Sequence, residues 1–405
     1  MALLGFLADR VAADHADVTD AERRVLVACM FEDAKRVWQM IDQAVTLGCD
    51  AADLGDAAAM AFRQGDLEAV HVALALLEND AGKEGSDEFR GDLGVAVREA
   101  RAETAMLQGR PDEAIHHWSA GAACFGESKS EQDLIEVAKF RSLAVHRLMQ
   151  FSEVFGGDGG WLPGAVDLCY ANMREAEEDS WDAAACRMQL GGAQLTAGKL
   201  KSGTDAQQLF MDAEYTFRIA TWEFDKDLFP EDWAEARNAQ GLACAHLAFE
   251  SIEDDAHTPG RTGGYWSLAE GYYVEALQMQ ADIELRLPWA KTSVNLGFLL
   301  LHRARVETGE RAAECLDNAV IFCERGQEIM TREAHPSDWV GTQRIIIEAL
   351  IARGDLGSSE TEPYSPRALK ELNEALDFLE TVDWPVVVEE VERLRAMLED
   401  SGFSG

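Results

Sequence analysis

An internal repeat limits what this chain can fold into more than any other feature. Pro230-Glu231-Asp232-Trp233-Ala234, Pro288-Trp289-Ala290 and Pro336-Ser337-Asp338-Trp339 each open a stretch of helical periodicity, with the tryptophans 56 and 50 residues apart. Proline at the first turn of a helix forfeits no hydrogen bond, and aspartate there suits the helix dipole. Gly241 and Gly297 each follow their tryptophan by eight residues. The intervening stretches carry alanines in pairs seven apart: Ala213 and Ala220, Ala269 and Ala276, Ala312 and Ala319, Ala368 and Ala375. Small residues of this kind let antiparallel helices approach closely. Each unit then packs only on its neighbours, so a long chain escapes the size limit of a single globule. The expected fold is all-α: an α-solenoid of antiparallel helical hairpins with irregular long loops.

The first half carries weaker copies. Gly109-Arg110-Pro111-Asp112-Glu113-Ala114-Ile115 follows a stretch with Ala102 and Ala105 and leads into Ala114, Trp118 and Gly121. An earlier copy reads Ala58, Ala61, Gly65, Ala69, Ala73 and Leu76, the large residue being expected in the groove between helices. From Thr19 to Val45, apolar Val25, Leu26, Cys29, Met30, Val37 and Ile41 recur at three- and four-residue steps, and Thr19 with Glu22 has capping-box spacing. Sustained alternation and Asn-Gly turns are missing, which leaves roughly sixteen helices and no strands. The Gly156-to-Gly160 run divides the chain into 1–155, a helical region with degenerate repeats, and 161–405, the firmer repeat region. A terminal amphipathic helix from Trp384 to Asp400 either caps the stack or pairs with another copy.

These residues resemble tetratricopeptide repeats. The second half is similar to the bacterial variant whose units open with Pro-x-x-Trp-Ala and run through Asn-Leu-Gly, best seen in Trp289-Ala290-Lys291-Thr292-Ser293-Val294-Asn295-Leu296-Gly297. The tryptophan stands two turns before Leu-Gly instead of one, and the units are longer than the common repeat. The resemblance implies a right-handed superhelix whose concave groove receives a peptide or a helix. It also implies that the helix after each tryptophan lines that groove, carrying Arg187, Arg237, Asn238, Lys291, Asn295, Gln343 and Arg344 as candidate polar contacts. Lys291 and Asn295, four apart, share a helix face. The preceding unit has Glu235 and Ala239 there, so a complete carboxylate clamp is missing.

Charge narrows the partners. Against 74 Asp and Glu stand 36 Lys and Arg, a formal net charge of -38. Such a surface repels phosphate, which argues against nucleic acid and anionic membranes. It serves solubility, and it draws in a basic partner segment. The eight cysteines form no Cys-x-x-Cys pair and fit reduced, buried thiols in a cytoplasm. The first residues lack a basic leader, and no stretch has the apolar length of a membrane span.

Chemistry is not legible. His116 and His117 are adjacent and point to different sides of a helix, and no His-Glu-x-x-His occurs. The 156–160 glycines have no Lys-Ser/Thr after them, and there is no Gly-x-Ser-x-Gly elbow. The expectation is a non-enzymatic scaffold or adaptor without metal or cofactor. The alternative is a regulatory sensor of a small peptide or metabolite. Oligomeric state is not encoded legibly.

Overall fold

The computed structural model describes residues 20–47, 52–81, 87–124, 131–155, 158–176, 180–254, 262–356 and 364–379, together with Arg395. Among the described residues are fifteen α-helices and no strand, and consecutive helices pack in the manner of an α-solenoid. Contacts divide the chain into Met1–Lys201 and Ser202–Gly405. Gly159 and Gly160, from the run read as the divide between halves, therefore lie inside the first unit. Thr19 and all but Arg395 of the Trp384-to-Asp400 stretch lie outside the described residues.

The first unit comprises α1 (Asp20–Leu47), α2 (Ala52–Gln64), α3 (Leu67–Ala81), α4 (Asp87–Leu107), α5 (Pro111–Ala123), α6 (Glu131–Phe155), α7 (Leu162–Glu175) and α8 (Trp181–Lys199). Two hairpins turn by the same device. Gly65 and Gly109 take φ of 78° and 69°, and the next amide donates back to Ala61 O at 3.0 Å or Ala105 O at 2.9 Å. That left-handed step closes the helix end without the steric penalty a side chain would bring. Trp118 is buried between helices as its repeat position requires. Leu76 departs from the expectation. It is 49% exposed, and Leu74 and Leu77 fill the core instead.

Sequence neighbours are not the only contacts in this unit. α1 also packs on α4, and α6 reaches both through Arg147. Its guanidinium donates to Glu103 of α4 from Nε and Nη2, both at 2.9 Å, and from Nη2 to Asp33 of α1 at 3.0 Å. Arg147 and Glu103 are both buried.

The second unit comprises α9 (Gly203–Glu223), α10 (Pro230–Asp254), α11 (Thr262–Asp282), α12 (Arg286–Arg303), α13 (Glu310–Gln327), α14 (Pro336–Asp355) and α15 (Tyr364–Leu379). The paired alanines fall on α9, α11, α13 and α15, and all eight are buried. The two repeat glycines mark closest approach. A Cβ on Gly241 would sit 2.7 Å from the ring of Tyr273, and one on Gly297 would sit 2.6 Å from Cys323 Sγ and 3.1 Å from the Ala319 carbonyl. At the equivalent place in the third unit stands Ile347, also buried. Of the tryptophan-headed helices, α12 touches both α10 and α14 directly, as well as through α11 and α13.

Cys124, Cys169, Cys186, Cys244, Cys315 and Cys323 are free. Burial pushes Cys169, Cys244 and Cys323 up to about 12, so they remain thiols at neutral pH. No helix among the described residues is long and apolar enough to cross a membrane.

Gly297→Ala and Gly241→Ala are expected to lower stability in urea melts. Overpacking costs about 1–3 kcal/mol, and alanine recovers at most about 1 kcal/mol of helix propensity; unchanged midpoints would refute the close approach. Arg147→Met leaves Glu103 buried without its partner and is expected to cost about 3–5 kcal/mol, read in the same assay.

Candidate functional site

The tryptophan-headed helices keep one register. The residue after each tryptophan, Ala234, Ala290 or Val340, is buried, and the next one, Glu235, Lys291 or Gly341, is exposed in all three units. Because α12 is in direct contact with both α10 and α14, these exposed positions recur along one layer. A Cβ on Gly341 would meet nothing within 4 Å, so the layer is open there. Deeper in the layer, Asn295 Nδ2 donates to Asn238 Oδ1 at 3.1 Å and joins α12 to α10.

The structure sorts the seven candidate polar residues. Lys291 is exposed, and Asn238 and Asn295 are half-buried partners of each other. Arg237 is held from several sides: Nη1 donates to Gln240 Oε1 at 2.9 Å, Nε lies 3.0 Å from Glu275 Oε2, and the guanidinium stacks over Trp233 and Tyr272. Gln240 in turn accepts from Thr221 and donates to Glu214, so the network ties α9, α10 and α11. Gln343 is 2% exposed, accepting from Gln327 at 2.7 Å and donating to Glu371 at 2.6 Å. Arg344 lies 3.8 Å from Glu348 on α14. Arg187 is on α8 in the first unit, half-buried beside Cys186. Thus Asn238, Lys291 and Asn295 belong to the open layer, while Arg237 and Gln343 join helices to one another.

Sequence reasoning missed the groups around these residues. Glu214, Glu275 and Glu371 come from helices whose pairing no local spacing reveals, whereas Gln240 lies one turn from Arg237 on α10. A pocket of 290 Å³ lies where α12 and α14 end, lined by Leu301, Leu316 and Ile351 with Arg305, Glu348 and Asp355. Close by, His302 stands 4.4 Å from Phe298 and 4.5 Å from Phe249, ring centre to ring centre. Burial, with the charges of Arg305 and Arg344, pushes its imidazole down to about 4. In the first unit the fold sets His71 of α3 beside His117 of α5, residues far apart in sequence.

Electrostatically the start of α10 is acidic. Glu235 is pushed above the usual carboxylate range by desolvation, then by Asp232 and Glu231. A cation brought to this spot would relieve the repulsion. No protein-family model matches this chain, and no curated protein matches it.

His302 makes stability depend on pH with a definite sign. Its pKa falls from 6.5 unfolded to about 4 folded, so its contribution is fully present above about pH 6.5 and is lost as pH falls toward 4. Thermal melts at pH 7 and pH 4.5 should show a smaller acid loss for His302→Phe than for the unsubstituted protein; equal losses would refute the assignment.

Proposed function

We propose that this chain is a non-enzymatic scaffold or adaptor, of tetratricopeptide-like kind, that receives a partner peptide or helix on the layer formed by α10, α12 and α14. The observation that carries this reading is the shared register: three units in contact present the same exposed position side by side, as Glu235, Lys291 and Gly341. Repetition of one open position along a layer is how helical repeats read an extended segment. Asn238 and Asn295 add amide donors and acceptors between the first two rows.

The partner is read as a protein segment with basic residues. The net charge of -38 favours it, and so does the crowding of Glu231, Asp232 and Glu235. The same charge disfavours nucleic acid. A cytoplasmic location belongs to this reading through the reduced state of its cysteines.

A second reading, a sensor of a small peptide or metabolite, is supported by the pocket between Arg305, Glu348 and Ile351. Its size suits a compact ligand or a single anchoring side chain.

The immobilised full chain is expected to hold a protein with a basic segment at about 0.05 M salt and to release it at about 0.5 M. Glu235→Lys combined with Lys291→Glu, both at exposed positions, should weaken that capture by at least about tenfold. Capture indifferent to salt and to the paired substitution would overturn the reading. Absence of any protein, with a thermal shift produced by a metabolite pool, would transfer it to the sensor.

A further inference from the structure

His71 of α3 and Glu113 and His117 of α5 converge in the first unit, with one donor atom from each lying within 4.8 Å of the other two. Glu113 and His117 are one helical turn apart and share a face. His117 Nε2 stands 3.6 Å from Glu113 Oε1, and the other carboxylate oxygen faces Arg110 Nη1 at 3.5 Å. The two imidazoles stack with centroids 5.7 Å apart and planes 25° from parallel.

Hydrogen bonding at this point is incomplete. His117 is 3% exposed, yet neither of its ring nitrogens has a hydrogen-bond partner. His71 Nε2 pairs with Gln108 Oε1 at 3.1 Å, which leaves Nδ1 buried and also without a partner. Buried polar atoms are nearly always satisfied, and each orphan costs about 1–3 kcal/mol. Three orphans in two adjoining rings would be a needless penalty for packing, which apolar side chains could do without it.

We propose that His71, Glu113 and His117 bind a divalent transition-metal ion of the zinc type, linking α3 to α5. Two neutral imidazoles and a carboxylate are a donor set for borderline ions, and they do not suit magnesium or calcium, which take all-oxygen sites. Gln108 supplies the outer hydrogen bond that such a site needs: with Nε2–H donating to its amide oxygen, the lone pair of His71 lies on Nδ1. Glu113 has a 37% exposed side chain, so an ion can enter from solvent on that side. Metal–nitrogen bonds of about 2.0–2.1 Å bring the donors closer than they now stand. Arg98 and Arg101 of α4 also act on His117 through their charge. They disfavour an ion attracted by charge alone and leave one held through nitrogen lone pairs.

The test uses the full chain stripped with a chelator and titrated with Co²⁺ as a spectroscopic probe, then with Zn²⁺ in competition. One equivalent of Co²⁺ should give the visible absorption of a nitrogen-bound, low-coordinate ion, displaced by one equivalent of Zn²⁺. Glu113→Gln and His71→Gln should each weaken binding by about 100-fold or more, with helicity checked by circular dichroism. His335→Gln, a histidine of the second unit outside this donor set, should leave binding unchanged. Should His71→Gln fail to fold, Glu113→Gln decides alone, because its side chain is partly exposed. Featureless Co²⁺ binding, or binding equal in protein and variants, would assign the uptake to surface carboxylates and overturn the proposal.

Discussion

Everything in this fold depends on how closely its helices can approach, and that distance is set by residues with almost no side chain. Eight alanines on alternate helices of the second unit, with Gly241, Gly297 and Gly326, remove the atoms that would hold the backbones apart. At such separations ordinary large residues from the facing helix, Tyr273 at Gly241 and Val294 at Gly326, fill the space to the packing density of a crystal. The polar side chains at these seams must then find partners there. The chain from Thr221 through Gln240 to Arg237 and Glu275 is the result, as is the group of Gln327, Gln343 and Glu371.

The same contrast explains what the sequence disclosed and what it withheld. Alanines seven apart and a glycine eight residues beyond tryptophan are local signals, because periodicity reports which residues share one helix face. The structure places them at the seams, and the φ of Gly65 and Gly109 gives the hairpin turns their reason. Periodicity does not report which face of another helix arrives. Arg237 and Gln343 were therefore indistinguishable in sequence from Lys291, although two of them join helices and one stays open. Leu76 failed because its neighbours Leu74 and Leu77 offer the same apolarity two residues before it and one after. The meeting of His71 with His117 is not legible in sequence, because it comes from the order in which α3, α4 and α5 pack.

An acidic chain that stacks helices must keep its few cations where they do most. Arg147, Arg237, Arg303 and Arg353 each bridge to a carboxylate on another helix. Bidentate, planar guanidinium suits that task better than lysine does. Lys291, by contrast, stands exposed in a row with Glu235 and Gly341. The layer thus presents opposite charges at successive units, and in the proposed scaffold such a pattern would set the register of a bound segment more than add to its affinity.

The Arg147 bridge also bears on how each unit unfolds. Among the described residues of the second unit the main helix contacts are between first and second neighbours in sequence, as in a one-dimensional array, where an end can fray while the remainder holds. In the first unit α6 is bound to α1 across 114 residues, so the chain between them is closed into a loop. Peeling α1 away would break contacts to α2, α4 and α6 at once, and the ordering entropy of that loop is recovered only when all are lost together. The second unit is therefore expected to unfold stepwise from an end, and the α1-to-α6 part of the first as one event.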